Sequence, residues 1–248
     1  GLPIWSFMFI SIACGAISGF HATQAPMMAR CAKTEKEGRL VFYGAMVAEG
    51  IIALVWAAAG VSFYEDSQAL LEAGAGVNAV VFEICNTTMG KLGGLLAMLG
   101  VIACPISSGD TAFRSARLTI ADALGLEQKS IKNRLLVTVP LLGLGVLVSQ
   151  LDYTAIWNYF ASTNQILAAI VLWTAAFYLR HEGKNDLIAA VPAAFMTAVT
   201  MTFVFNSNLY LGKISFLPPI SKVLGVGVGV ALLVLYLLKA PKGAKAAK

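Results

Sequence analysis

Apolar runs near the roughly 20 residues that cross a bilayer recur along the chain at 2–22, 40–63, 92–113, 135–150, 154–179, 187–205 and 220–238. The pattern predicts an all-α polytopic membrane protein with about seven transmembrane helices. Polar residues interrupt two of these runs. The first closes in Ser18-Gly19-Phe20-His21-Ala22-Thr23-Gln24-Ala25-Pro26, and the third closes in Pro105-Ile106-Ser107-Ser108-Gly109-Asp110-Thr111-Ala112. Glycine loosens a helix and proline removes a backbone donor. Irregular backbone at membrane depth persists only where protein or a watery cavity satisfies the freed groups, and transporters build binding sites at such breaks. Both spans are therefore expected to be discontinuous, with breaks at 18–26 and 105–111 facing each other across a solute path.

The remaining runs carry few polar interruptions. Glu49 lies near the middle of 40–63, where a carboxylate costs about 2.5–3.5 kcal/mol on insertion scales and is expected to face the bundle interior. Span 154–179 opens with an aromatic belt, Tyr153 to Phe160, and then carries Ser162-Thr163-Asn164-Gln165, four side chains that need partners within the membrane. Residues 64–91 form the longest outer connection, with Val77–Phe82 a candidate short interfacial helix. Residues 118–134 read as an amphipathic segment interrupted at Gly125. The last two spans lack charge and read as scaffold, so the organisation is a membrane region over 1–238 and a disordered basic tail over 239–248.

Composition agrees with this class. The 248 residues are 58% hydrophobic and only 12% charged, about half the charge of a soluble domain, and mean hydropathy is +0.77. The net charge of +5 does not call for a nucleic acid. With the N-terminus outside, Arg30, Lys33, Lys36, Arg39, Arg114, Arg117, Lys129, Lys132, Arg134, Arg180 and Lys184 all fall in inside loops, as the positive-inside rule requires. The tail places its lysines, and the C-terminus, on the same side. Cys14, Cys31, Cys85 and Cys104 form no CxxC pair, which argues against a disulfide framework or a metal site; no cofactor is implied. Gly1 stands within an apolar run without an initiator methionine. The chain therefore reads as the C-terminal part of a longer protein, whose missing N-terminal helices would share the site.

Several side chains are candidates for chemistry. His21, whose ordinary pKa lies near working pH, is read as a proton-coupling or solute-contacting group, against a helix-end cap. Asp110 is read as a proton or cation carrier, against a cap or salt bridge to Arg114 at i+4. Glu49 is a further proton-site candidate. Ser107, Ser108 and Thr111 offer hydroxyls to a solute or a sodium ion, or bond back to the helix. Arg114 and Arg117 suit a carboxylate or serve as positive-inside anchors. Asn164 and Gln165 line the path or knit helices together. A serine hydrolase would need Ser18 or Ser108 in hydrogen-bond sequence with His21 and Asp110, and no GxSxG elbow is present. A non-transporting sensor or scaffold is the other alternative.

Three stretches resemble a known family. Ser18-Gly19-Phe20-His21-Ala22-Thr23-Gln24 with Pro26 to Cys31, Ser108-Gly109-Asp110-Thr111-Ala112 continuing to Leu118, and Trp157-Asn158-Tyr159-Phe160 followed by Asn164-Gln165 are similar to signatures of the bacterial carbon starvation protein A family. The resemblance implies an inner-membrane secondary transporter, related in fold to amino acid–polyamine–cation carriers. It would take up peptides or pyruvate with protons when carbon is scarce, and would not be an enzyme. Ser18, Gly19, His21, Thr23, Gln24, Ser107, Ser108, Asp110, Thr111, Arg114, Asn164 and Gln165 are then the expected solute and ion path.

Overall fold

The computed structural model describes residues 5–10, 19–72, 77–151 and 153–241. Ser18, Cys14 and the tail beyond Pro241 lie outside the described residues, as does the side chain of Thr23. The chain is helical wherever it is regular among the described residues. A short helical segment covers 5–10. It is followed by α1 (Gly19–Cys31), α2 (Arg39–Phe63, its first turn π-helical over Arg39–Gly44), α3 (Ser67–Glu72), α4 (Val77–Ala123), α5 (Ile131–Ser149), α6 (Tyr153–His181), α7 (Leu187–Asn206) and α8 (Leu217–Lys239). Among the described residues six helices are long and apolar enough to cross a membrane. The expected first span, 2–22, runs through undescribed residues.

The chain divides into two compact units, one of 1–26 with 147–248 and the other of 27–146. The first is built on α6, α7 and α8. Lipid is as apolar as leucine, so helices in a membrane associate through close packing and polar contacts rather than through hydrophobic burial. α7 supplies the small face, with Ala190, Ala193, Ala194 and Ala198 buried. α8 answers with Gly225 and Gly229, four residues apart. A Cβ at Gly225 would collide with Thr202 and come within 2.8 Å of the Ala198 carbonyl, and one at Gly229 would stand 2.6 Å from the Ala194 carbonyl, whereas Gly227 has open space around it. Indole donors add ties: Trp173 Nε1 to Thr197 Oγ1 at 3.0 Å, and Trp5 Nε1 to Thr202 Oγ1 at 3.1 Å.

The second unit holds α2 to α5. α2 has no buried residue, so its apolar side chains suit lipid or another helix. α4 and α5 form a helical hairpin. α4 ends in a glycine-closed turn: Gly125 sits at φ +65, Leu126 N–H donates to Ala121 O at 2.9 Å and Gly125 N–H to Asp122 O at 3.3 Å, the pairing of a Schellman motif.

Two expectations about backbone breaks are corrected. α4 stays helical through Pro105–Thr111, and its one non-helical residue is Gly90 (φ 67, ψ −176). Pro105 removes a single backbone donor, while Ser107 Oγ donates to Cys104 O at 2.9 Å and Thr111 Oγ1 to Ser107 O at 2.9 Å, so hydroxyls bond back to the ladder rather than opening it. α1 likewise runs as helix from Gly19 through Pro26 to Cys31. The short interfacial helix expected at 77–82 is instead the start of a helix that continues to Gly90. Tyr64 OH, donating to Glu83 Oε2 at 2.9 Å, ties the end of α2 to it.

Candidate functional site

The α4 motif lies on one helical row. Asp110, Phe113, Arg114 and Arg117 follow the i, i+3, i+4, i+7 spacing that places side chains on one face. Arg134, Thr138 and Leu142 do the same on α5. Together these seven residues line an open cavity of about 440 Å³. Phe113 packs its ring against α5, where a Cβ on Gly145 would stand only 2.6 Å from it. Arg114 Nη2 donates to Asp110 Oδ2 at 2.7 Å, an exposed i,i+4 ion pair. Ser107 and Thr111 are engaged with helix carbonyls, and Ser108 is exposed on the same helix.

In the other unit, the polar tetrad of α6 splits by helical phase. Ser162, Asn164 and Gln165 are buried and Thr163 is exposed. Ser162 Oγ donates to Asn158 O at 2.8 Å and lies 2.9 Å from Tyr210 OH. Gln165 is 1% exposed, and both its carboxamide atoms are buried without a hydrogen-bond partner among the described residues. A buried amide in that state costs about 1–3 kcal/mol. His21 and Gln24 are half-buried on α1. Glu49 is half-buried, on a helix whose residues are otherwise half-buried or exposed.

One polar cluster escaped the sequence reading. Arg180, counted above as a loop cation, is 9% exposed. Its Nη1 donates to Asp186 Oδ2 at 3.2 Å and its Nη2 to Leu237 O at 3.1 Å, and its guanidinium stands 4.9 Å from the Tyr236 ring centre. Tyr236 OH donates to Asp186 Oδ2 at 2.7 Å and also lies 2.9 Å from Ala176 O. The Tyr236 hydrogen bond, with Arg180 beside it, holds the Asp186 carboxyl below its ordinary value. This knot fastens the end of α6, the start of α7 and the end of α8. The signal available in sequence was a tyrosine in an otherwise apolar span and an aspartate six residues after an arginine, neither of which shows pairing. Arg134, also counted as a loop cation, is the other side chain the structure moves into a site.

Comparison with known proteins gives these geometries a context. An uncharacterized protein of Haemophilus influenzae is 47% identical over 120 residues, 48% of this chain and 87% of that protein. The peptide transporter CstA of Escherichia coli is 24% identical over 281 aligned positions, covering 81% of this chain and 40% of the transporter. The pyruvate/proton symporter BtsT of E. coli is 39% identical over 59 residues, 21% of this chain and 8% of that protein. The chain thus spans about 40% of the length of the peptide transporter it matches. No solved structure matches it. The model of the family described as carbon starvation protein CstA matches residues 2–77 and 67–203, stretches that include the α4 row and the α6 tetrad, and the chain belongs to that family.

Proposed function

We propose that this chain is part of a secondary carrier that takes up short peptides or pyruvate across the bacterial inner membrane, with protons as the coupling ion and sodium as the alternative. The observation that carries the reading is Gln165: a fully buried carboxamide, unpartnered at both atoms among the described residues, inside a membrane span of a family whose relatives are named for peptide and pyruvate transport. A folded membrane protein tolerates that cost where the group is used. The Gln165 amide donates to and accepts from a solute, and Asn164 supplies a second neutral contact. Ser18, Gly19, His21, Thr23 and Gln24 of the 18–26 stretch, and Ser107, Ser108 and Thr111 of α4, are the further residues proposed to contact solute or ion, each within its own unit.

Proton coupling falls to acids. Asp110 releases Arg114 when it is protonated, which opens an ion pair within the α4 row, and His21 relays. Glu49 is the second acid available. The test is uptake into proteoliposomes of labelled pyruvate and a labelled dipeptide, with and without an inward proton gradient. Accumulation of one solute that collapses with a protonophore is expected; uptake of neither by folded, inserted protein refutes the reading. Neutralising His21 and Asp110 without loss of the cellular role would point to a sensor instead.

A further inference from the structure

The α4–α5 cavity holds more positive charge than its own acid neutralises. Arg114 is paired with Asp110 at 2.7 Å. Arg117 and Arg134 form no ion pair among the described residues, and Arg117 Nε is buried without a hydrogen-bond partner. Thr138 adds a hydroxyl to the same cavity. Two uncompensated guanidiniums and a hydroxyl surround a space of about 440 Å³. A carboxylate has two oxygens and matches one guanidinium fork side-on; a phosphate offers enough acceptor oxygens for both forks and the hydroxyl at once.

Depth points the same way. Past the kink at Gly90, α4 runs for 33 residues to Ala123, about 50 Å of helix, more than the ~30 Å hydrocarbon core needs. Its apolar stretch ends near Ile106, so Asp110 to Arg117 fall at the membrane's edge, and Arg134 is in the first turn of α5. Exposed apolar side chains lie close along the same two helices, Ile106 one turn before Asp110 and Val139 next to Thr138, with Leu142 in the cavity wall. A polar, cationic hollow opening beside an apolar flank fits a head group with chains attached, and basic pockets between membrane helices bind anionic lipid head groups.

We infer that the cavity lined by Arg117, Arg134 and Thr138 is a phosphate-binding site at the membrane interface, and that its phosphate belongs to an anionic lipid. Arg117, Arg134 and Thr138 have no part in the proposed solute contacts at Gln165, so the inference does not rest on them. The experiment titrates purified protein in neutral detergent with phosphatidylglycerol, phosphatidylcholine and inorganic phosphate, and reads bound ligand by native mass spectrometry. Arg117→Gln, Arg134→Gln and the double variant are compared with wild type, and Lys129→Gln controls for charge outside the cavity. Saturable retention of phosphatidylglycerol over phosphatidylcholine is expected, unchanged in Lys129→Gln and at least tenfold weaker in the double variant, with millimolar phosphate competing. Arginine-dependent binding of phosphate without lipid retention would keep the phosphate site and overturn the lipid as its source. Equal lipid retention by wild type and double variant overturns the site, as does displacement by pyruvate at lower concentration than phosphate. Should the glutamine variants unfold, Arg117→Lys, which keeps the charge and loses the fork, must show binding weaker than wild type; undiminished binding there refutes guanidinium recognition.

Discussion

Replacing Gln165 with methionine separates what the residue costs from what it does. The side chain is 1% exposed with neither amide atom bonded, and an amide buried that way costs about 1–3 kcal/mol. Methionine keeps the length and flexibility of glutamine and carries no strong polar atom, so Gln165→Met should raise the unfolding free energy by about 1–3 kcal/mol. The same two groups offered to a solute contribute about 0.5–1.5 kcal/mol each. Their loss should raise KM for uptake by about 5- to 150-fold, at 1.4 kcal/mol per tenfold. Denaturant unfolding of the purified protein and concentration-dependent uptake in proteoliposomes measure the two quantities independently. A stabilised protein with unchanged KM refutes the solute contact. Destabilisation by more than about 1 kcal/mol refutes the premise that the amide is unpaired.

Asp110→Asn should leave stability within about 0.5 kcal/mol, since an exposed i,i+4 pair is worth no more, yet abolish accumulation against a gradient while downhill exchange continues; retained accumulation in proteoliposomes removes Asp110 from coupling. Gly225→Ala pushes a methyl group into Thr202 and should cost about 1–3 kcal/mol of overpacking, while Gly227→Ala, in open space, should be neutral by thermal unfolding. Asp186→Asn leaves Arg180 buried without its charge partner and should cost about 3–5 kcal/mol in denaturant unfolding near neutral pH. Because the folded carboxyl lies below its ordinary 3.8, the stability it contributes is complete above that value and is lost as pH falls through the folded value. Stability should therefore drop below about pH 4 in wild type and fall less steeply in Asp186→Asn, as pH-dependent unfolding will show.

Hydropathy made most of the helices legible. The spans expected at 154–179, 187–205 and 220–238 are Tyr153–His181, Leu187–Asn206 and Leu217–Lys239, because twenty apolar residues in lipid have almost no alternative to a helix. The backbone break in α4 was not legible. Pro105 with its serines signals unwinding in composition, but one missing donor does not open a helix whose nearby hydroxyls bond back to its own carbonyls, whereas Gly90, unremarkable in sequence, takes a positive φ that side-chain-bearing residues disfavour. Within the tetrad at 162–165 the polar character was plain, yet which members turn inward depends on helical phase. Arg180, Asp186 and Tyr236 were opaque for a different reason. The bond from Tyr236 to Asp186 joins residues 50 positions apart, and no local rule connects a tyrosine near the end of α8 to an aspartate before α7.

The Arg180 knot also bears on why Gln165 stays unpaired. A buried amide on a loosely held helix would rotate or slide until it found a carbonyl, and the cost would vanish. α6 has little such freedom. At one end Arg180 bonds to Asp186 and to Leu237 O; nearer the middle Trp173 is fastened to Thr197; toward the other end Ser162 meets Tyr210. The α7 face that receives Trp173 is itself locked to α8, where Gly225 and Gly229 leave no room for a shift. Three polar ties along one helix, against a partner pair in backbone contact, hold the Gln165 carboxamide where the fold puts it. Such a group is preorganised: a ligand that meets it gains its hydrogen bonds without ordering the side chain first. Loosening the frame should therefore weaken the solute through entropy. Tyr236→Phe, which removes a hydroxyl remote from Gln165, should raise KM for uptake while leaving Gln165 in place, whereas an unchanged KM in a destabilised Tyr236→Phe protein would show that the frame and the amide act independently.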